Sequence, residues 1–552
     1  MALAAADVSA PAVRKFLRLV LAAMVLHLIL VQPNHPGAMM SGALLRFPLE
    51  LPVILLGLAA IGPGRVSLWL RIVLVALLTL VAVLKTADLV MFLSLSRGFN
   101  PVADLPLVDA LVRLLAGAVG SLLAALAVMA ALVAVVAIAA LCWWATGVWS
   151  QLELRPGLAR LSAAAALLAG IVMVAEVGHA MRAWRLPASP PGMAFTARIA
   201  VERARTAVYT IAELRDFRAA AANDPYDGAQ GLFDAIDRDV LVIFIESYGR
   251  TSLDTPLYAP THAQTLRAGA ARLAALGLAT RSGIVTAPTR GGQSWLSHAT
   301  LANGLWITDQ SRYGAALVSG RRTLYHLAGQ AGFHTAAVMP QITMDWPESA
   351  HMGFTTILAS NDLGYRGLPF NWVTMPDQFT LAALDRLLRT GDGESHLFAQ
   401  VALSTSHAPW VPVPELIDWE DVGDGSVFND MATAGDTPEV VWRDRDRVRD
   451  QYRLAIDYSL RTVIDYAARH AAQPPLMIVL GDHQAAGFVA QDERFDVPVH
   501  VIGPAHLVDR VADWGWQPGL VPAADTPVIS MGELRNMVLD AFSDAAARPP
   551  ES

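Results

Sequence analysis

Glu246 closes the apolar run VLVIFI at 240–245, and Asp482 and His483 close a second, LMIVLG at 476–481. Two carboxylates and an imidazole delivered by two strand ends form a donor set for one divalent cation. Carboxylate oxygen and imidazole nitrogen replace the ion's hydration, whereas carboxylates crowded together without a cation repel one another. Taken singly, each residue also reads as a helix cap or a turn residue; the pairing of two strand ends is what points to a metal. Ser294, in GGQSWLSHATLANGL, stands at the expected start of a helix. Free backbone N–H groups and the positive end of the helix dipole lower the cost of an alkoxide there, and a bound cation lowers it further. Serine is also a common helix cap, so its local sequence allows that role as well. His298 follows Ser294 by one helical turn, where packing and a site-facing role are both open. Asp345, His351 and His500 are weaker candidates of the same kind.

These residues need a scaffold that brings distant strand ends together. From Val240 onward, short apolar runs alternate with helical segments: VLVIFIE, GIVTA, HTAAVM, HLFAQVALS, LMIVLGDH and VPVHVIGP. Such alternation predicts an α/β domain with a largely parallel central sheet, in which ligands gather at the carboxyl ends of the strands.

The N-terminal third has another texture. With 552 residues, 54% hydrophobic and only 16% charged, the chain is too apolar for an ordinary soluble protein. Five apolar stretches, at 15–32, 44–62, 69–92, 117–145 and 160–180, approach the roughly 20 residues a bilayer-crossing helix needs. The first follows Arg14, Lys15 and Arg18 like a secretory signal, but VQPNHPGAMM offers no clear cleavage site, so a retained helix is expected. With those cations inside, as Arg65, Arg71, Arg155 and Arg160 also prefer, five spans place the remainder of the chain outside; Arg182 and Arg185 run against the trend. Lys85 and Asp88, on one face of the third stretch, are expected to reach toward the outer surface. The expected organisation is a five-helix transmembrane domain at 1–180, an interfacial helical linker at 181–235, and an extracytoplasmic domain at 236–552. In the linker, Ile199, Val201, Ala204, Val208 and Ile211 follow helical spacing among arginines, as in a helix resting on lipid headgroups.

The net charge of −8 gives no basic surface for nucleic acid. Cys142, the single cysteine, rules out an intrachain disulfide and a cysteine zinc cluster.

The motifs IESYG, GGQSW, STSHAPW and LGDHQ resemble those of the alkaline phosphatase and sulfatase superfamily, and within it the membrane-anchored phosphoglycerol transferases of the lipoteichoic acid synthase type. That resemblance implies that Glu246, Asp482, His483 and Ser294 hold one divalent ion, manganese first and magnesium or zinc as alternatives. Ser294 would be the nucleophile, in the place threonine usually takes, and His407 would act at the substrate oxygens. A Trp-Asn-Arg segment that holds phosphate in the family corresponds to TMDWPESAHMGF. Trp346 is kept, but Glu348 stands where arginine is expected. An acid cannot clamp a phosphate, so either Arg290 or another cation substitutes, or the substrate differs. The sulfatase branch is set aside because APTRGGQSW lacks its C/S-x-P-x-R pattern.

The resemblance further implies transfer of a phosphoglycerol-type group from a membrane phospholipid to an envelope glycan or glycolipid, at the outer face of the cell membrane. A phosphoethanolamine transferase usually carries a disulfide-rich outer domain. A phosphodiesterase or phosphatase using water would need the same residues, and a non-catalytic membrane sensor is the alternative outside enzymes.

Overall fold

The computed structural model describes residues 10–544 apart from 40, 41, 43, 44, 96, 189, 345, 372, 373 and 391–394, so Asp345 lies outside the described residues. The chain divides into two compact units, Met1–Glu213 and Leu214–Ser552.

The first unit is helical: α1 (Ala10–Val31), α2 (Glu50–Ile61), α3 (Arg65–Leu95), α4 (Leu107–Val119), α5 (Ser121–Ser150), α6 (Pro156–Ala180) and most of α7 (Phe195–Ala221). Among the described residues, three helices are long and apolar enough to cross a membrane: those within α3, α5 and α6. The other two expected spans, at 15–32 and 44–62, fall on α1 and α2. Helix α2 has 12 residues, about 18 Å of rise against a hydrocarbon core of about 30 Å, and α1 carries Arg14, Lys15 and Arg18 in its first turns. The amphipathic α4 was not expected at all. The division between units falls inside α7.

Lys85 and Asp88 are buried at 1% and 0% exposure, not reaching outward as expected. Lys85 Nζ donates to the Leu30 carbonyl at 2.7 Å and to Thr196 Oγ1 at 3.0 Å. Asp88 pairs with Arg203 at 2.8 Å and accepts from the Phe99 N–H at 2.9 Å. Burying charge is tolerated because each has found a partner. The first turn of α7 is likewise tied down: Glu50 Oε1 accepts from the N–H groups of Thr196 and Ala197 at 2.7 and 2.9 Å, a carboxylate on a helix N-terminus. Glu176 pairs with Arg198.

The second unit is built on one sheet of order β4-β3-β5-β1-β6-β7-β2-β8, with β9 beside β2. Its strands are β1 (Val240–Ile245), β2 (Ala279–Thr286), β3 (His334–Met339), β4 (Thr356–Ala359), β5 (Leu397–Leu403), β6 (Leu476–Gly481), β7 (Asp496–Gly503), β8 (Gln517–Pro518) and β9 (Val528–Ser530). The five strands from β4 to β6 are parallel, and β7 is antiparallel to both β6 and β2. All six side chains of β1 are buried. Leu241, Ile243 and Ile245 enter a core with Leu266 of α8 (Ala259–Ala275), Leu384 of α10 (Asp377–Leu388) and Ile456 of α11 (Arg445–Arg469). Val240, Val242 and Phe244 enter a second core with Leu301 of α9 (Ser294–Asn303) and Leu539. Helices thus cover both faces, and β1 runs as a continuous apolar string because no face of it meets water. Each of its large side chains contributes roughly 1.5–3 kcal/mol on burial, enough together to carry the acid that follows them into the interior.

Candidate active site

In the register of the sheet, Ile245 at the end of β1 lies opposite Leu403 of β5 and Gly481 of β6. Three neighbouring parallel strands therefore end side by side, and the residues just beyond them are Glu246, the turn Ser404–His407, and Asp482 with His483. Glu246, Asp482 and His483 are all buried, with one ligating atom from each lying within 4.8 Å of the others. Gly481 is required by that closeness: a Cβ there would lie 1.9 Å from the Tyr248 carbonyl oxygen.

The turn after β1 is strained where the chemistry sits. Ser247 has φ of +58°, uncommon for a residue with a Cβ, and is held by its own bonds. Its N–H donates to Asp482 Oδ1 at 2.8 Å and its hydroxyl to Glu246 Oε1 at 3.3 Å. Asp482 Oδ1 also accepts from the His483 N–H at 2.7 Å.

His483 Nδ1 lies 2.9 Å from the Gln484 carbonyl and donates to it, which leaves the lone pair of a neutral ring on Nε2. That buried Nε2 has no hydrogen-bond partner and lies 3.2 Å from Glu246 Oε1. A neutral imidazole and a carboxylate facing each other with lone pairs is an arrangement that a cation resolves. The donor set, two carboxylates and a tautomer-fixed histidine, fits manganese, magnesium or zinc. With no cation, protons substitute. Burial lowers His483, but the Asp482 and Glu246 carboxylates outweigh it and raise it to about 9. Asp482 rises through burial and the nearby charge of Glu246. Glu246 is pushed up by burial, yet His483, and His407 after it, bring it below the usual carboxylate range.

Ser294 is the first residue of α9, and the residue preceding the helix is Gln293, at φ of +65°. Serine is therefore not the cap here, and its hydroxyl makes no hydrogen bond among the described residues. The loop before it is fixed to the strand end that bears the acids: the Gly291 N–H donates to the Gln484 carbonyl at 2.8 Å, and Arg290 and Gln484 form a parallel bridge. One turn into α9, on the face of Ser294, His298 stacks on Phe244 at 4.1 Å between ring centroids, its Nε2 buried without a partner. Burial lowers His298 to about 4, with Glu246 opposing and His483 adding to the shift. His298, one turn after Ser294 on the same helix face, thus lies near the Glu246 and His483 side chains.

His407 donates from Nδ1 to the Ala408 carbonyl at 2.5 Å, and its charge bears on Glu246. The turn that carries it is clamped twice. Ser406 donates to the Glu246 carbonyl at 2.6 Å. Asp377 Oδ1 accepts from the N–H groups of Ser404 and Thr405, each at 2.8 Å, while its Oδ2 accepts from Ser459 at 2.6 Å.

Arg290 and Trp346, expected at the substrate, each make contacts within the protein. Arg290 donates to Glu493 Oε2 at 2.7 Å and lies over the Phe495 ring, so its guanidinium is engaged with a carboxylate. Trp346 packs on Phe354, with ring centroids 6.4 Å apart; among the described residues no hydrogen bond or ring contact joins it to Glu246, Asp482 or His483. His500 is a buried core residue between Ser282 at 2.7 Å and the Tyr248 hydroxyl at 3.1 Å. His351 is exposed in a short 3-10 helix, Pro347–His351.

No family model matches the chain, and no curated protein matches it. Among solved structures it is similar to the lipoteichoic acid synthase LtaP from Listeria monocytogenes, at 12% identity and a TM-score of 0.37 over 59% of this chain and 81% of that one. The Streptococcus pyogenes phosphoglycerol transferase GacH, in complex with sn-glycerol-1-phosphate, gives 14% identity and a TM-score of 0.37, covering 61% and 82%. The C-terminal periplasmic domain of EcEptC from Escherichia coli gives 15% and 0.35, covering 57% and 87%. At TM-scores this low, the likenesses carry no weight in assigning a reaction.

Proposed function

We propose that this chain is a membrane-anchored, divalent-metal-dependent transferase that moves a phosphoglycerol-type group from a membrane phospholipid to an envelope glycan or glycolipid. The observation that carries the reading is the convergence of buried Glu246, Asp482 and His483 on two neighbouring strand ends, with the loop before Ser294 hydrogen-bonded to Gln484, the next residue along. The motif resemblance supplies the substrate class.

Glu246, Asp482, His483 and Ser294 would hold the ion, which when bound supplies charge to favour the serine alkoxide and to offset negative charge at phosphorus. Ser294 Oγ attacks the phosphodiester phosphorus; a new P–O bond forms to serine and the bond to diacylglycerol breaks. Ser294 gives up its hydroxyl proton to solvent as it attacks, and His407, its Nδ1 fixed by Ala408, passes a proton carried on Nε2 to the departing diacylglycerol oxygen. An acceptor hydroxyl then attacks the seryl phosphodiester, gives up its proton, and restores the Ser294 hydroxyl. The helix dipole of α9 favours the charged nucleophile throughout. The cationic ends of α1, α3 and α6, with Arg14, Lys15, Arg18, Arg65, Arg155 and Arg160, favour the cytosol. Helix α6 then leads residues after 180 to the outer side, where lipid donor and acceptor are both held at the membrane.

Mass spectrometry of the full chain after incubation with phosphatidylglycerol and manganese tests this reading. A glycerophosphoryl adduct on Ser294 is expected. An ethanolamine phosphate adduct from phosphatidylethanolamine alone would reassign the donor, and free glycerol phosphate produced equally with and without acceptor would make it a hydrolase. No adduct from either lipid, with Ser294→Ala as active as the wild type, overturns the proposal.

A further inference from the structure

Arg14, Lys15 and Arg18 line a cavity of about 690 Å³ between the first turns of α1 and the last turn of α5, together with Leu19, Val148 and Gln151. Its volume lies within the roughly 300–1,000 Å³ of small-ligand sites. The walls are fixed to each other, because the Trp149 indole of α5 donates to the Leu19 carbonyl of α1 at 3.2 Å.

The three cations are exposed, and none has an acidic partner among the described residues. The opposite end of the same bundle is arranged differently. There Arg97 pairs with Asp104, Arg113 with Asp109, Arg198 with Glu176 and Arg203 with Asp88. Arg71, near the cavity's end, is satisfied by the Trp143 carbonyl and ring. Arg65, Arg155, Arg160, Arg182 and Arg185 also lack acidic partners among the described residues, but Arg14, Lys15 and Arg18 are the three that line one cavity together. Directly beside it, α1 exposes an apolar strip that includes Phe16, Leu17, Val20, Leu21 and Met24. A charged cavity continuing into an exposed apolar strip matches a molecule with an anionic head and an apolar tail, which free phosphate is not.

We infer that this cavity binds the phosphodiester headgroup of an anionic phospholipid, with an acyl chain along α1. The site is separate from the Glu246 centre and holds whatever reaction that centre performs. It also accounts for a helix of 22 residues that keeps three cations in its first turns: the lipid neutralises them where α1 meets the membrane surface.

The test is lipid retention by the full chain in neutral detergent, read by native mass spectrometry with phosphatidylglycerol and phosphatidylcholine offered in equal amounts. Each surface cation contributes roughly a fivefold factor in binding an anionic membrane. The triple variant Arg14→Gln, Lys15→Gln, Arg18→Gln should then bind phosphatidylglycerol roughly 100-fold more weakly. The variant Arg65→Gln, Arg155→Gln, Arg160→Gln, with cations outside the cavity, should keep wild-type binding. Equal losses in both variants, or none in the first, overturn the inference, as does displacement of the lipid by millimolar inorganic phosphate. If the triple variant does not fold, the wild type decides: raising salt from about 0.1 to 0.5 M should release phosphatidylglycerol and spare phosphatidylcholine, and an absence of salt effect refutes the site.

Discussion

Supplying a divalent ion should stabilise the chain by an amount that grows with pH, and the sign follows from His483. Its folded value, raised from 6.5 to about 9 by Asp482 and Glu246 against the opposing effect of burial, favours the protonated ring. In chelated protein that proton contributes stability in full below about pH 6.5, and the contribution is lost as pH rises through 9, about 3 kcal/mol over the window. The ion needs the same Nε2 without its proton, so below pH 9 its apparent affinity rises about tenfold per pH unit. At free manganese near 100 times the dissociation constant at pH 8, binding stabilises by about 2.7 kcal/mol. One pH unit lower, the same free manganese is only about ten times the constant, and the gain halves to about 1.4 kcal/mol. For a domain of this size the larger figure corresponds to a melting shift on the order of 5 °C. Melting followed by tryptophan fluorescence in chelator and in buffered manganese, at pH 7 and pH 8, measures both values. Equal shifts at the two pH values, or a full shift retained in Glu246→Gln and Asp482→Asn, would refute the reasoning.

Ser294→Ala should lower lipid cleavage by about 10³-fold or more while Glu246→Gln abolishes the manganese-induced melting shift, separating the covalent step from ion binding. Gly481→Ala drives a methyl against the Tyr248 carbonyl; a loss of about 3 kcal/mol in urea unfolding, with a smaller manganese shift, is expected. Asp377→Ala orphans the N–H groups of Ser404 and Thr405 and the Ser459 hydroxyl. At about 1–3 kcal/mol each, it should lose on the order of 4 kcal/mol by chemical denaturation. His500 is lowered by burial to about 3, so its contribution is present above the unfolded value near 6.5 and is lost as pH falls toward 3. Stability should drop by up to about 1.4 kcal/mol per pH unit in that window, and His500→Gln should flatten the slope in acid melts.

Strands β1, β3, β5, β6 and β7 were legible because each is an apolar run bounded by polar residues, and a strand buried on both faces must be one. The strands at the margins were not: β4 is the half-buried TILA, and β8 pairs only two residues. Glu246, Asp482 and His483 stood out because a charge directly behind an apolar run is conspicuous in one dimension. Asp377 gave no such signal. It follows a proline at a helix start, where an acid is ordinary, and its partners lie 27, 28 and 82 residues away. Apolar length in sequence does not reveal where a helix begins; α2 starts only at Glu50, whose carboxylate holds the first turn of α7. Lys85 read as a snorkelling lysine because Thr196 is 111 residues distant.

Strand β1 pairs with β5 on one side and β6 on the other, though the three are separated by 151 and 72 residues of intervening chain. During synthesis, the flank of β1 that β6 will occupy stays open until the chain has passed residue 481. Chains stopped earlier would display VLVIFI as a sticky apolar border, prone to recruit other copies. The last partner to arrive also brings Asp482 and His483, so completion of the sheet and competence to take up an ion coincide in one event.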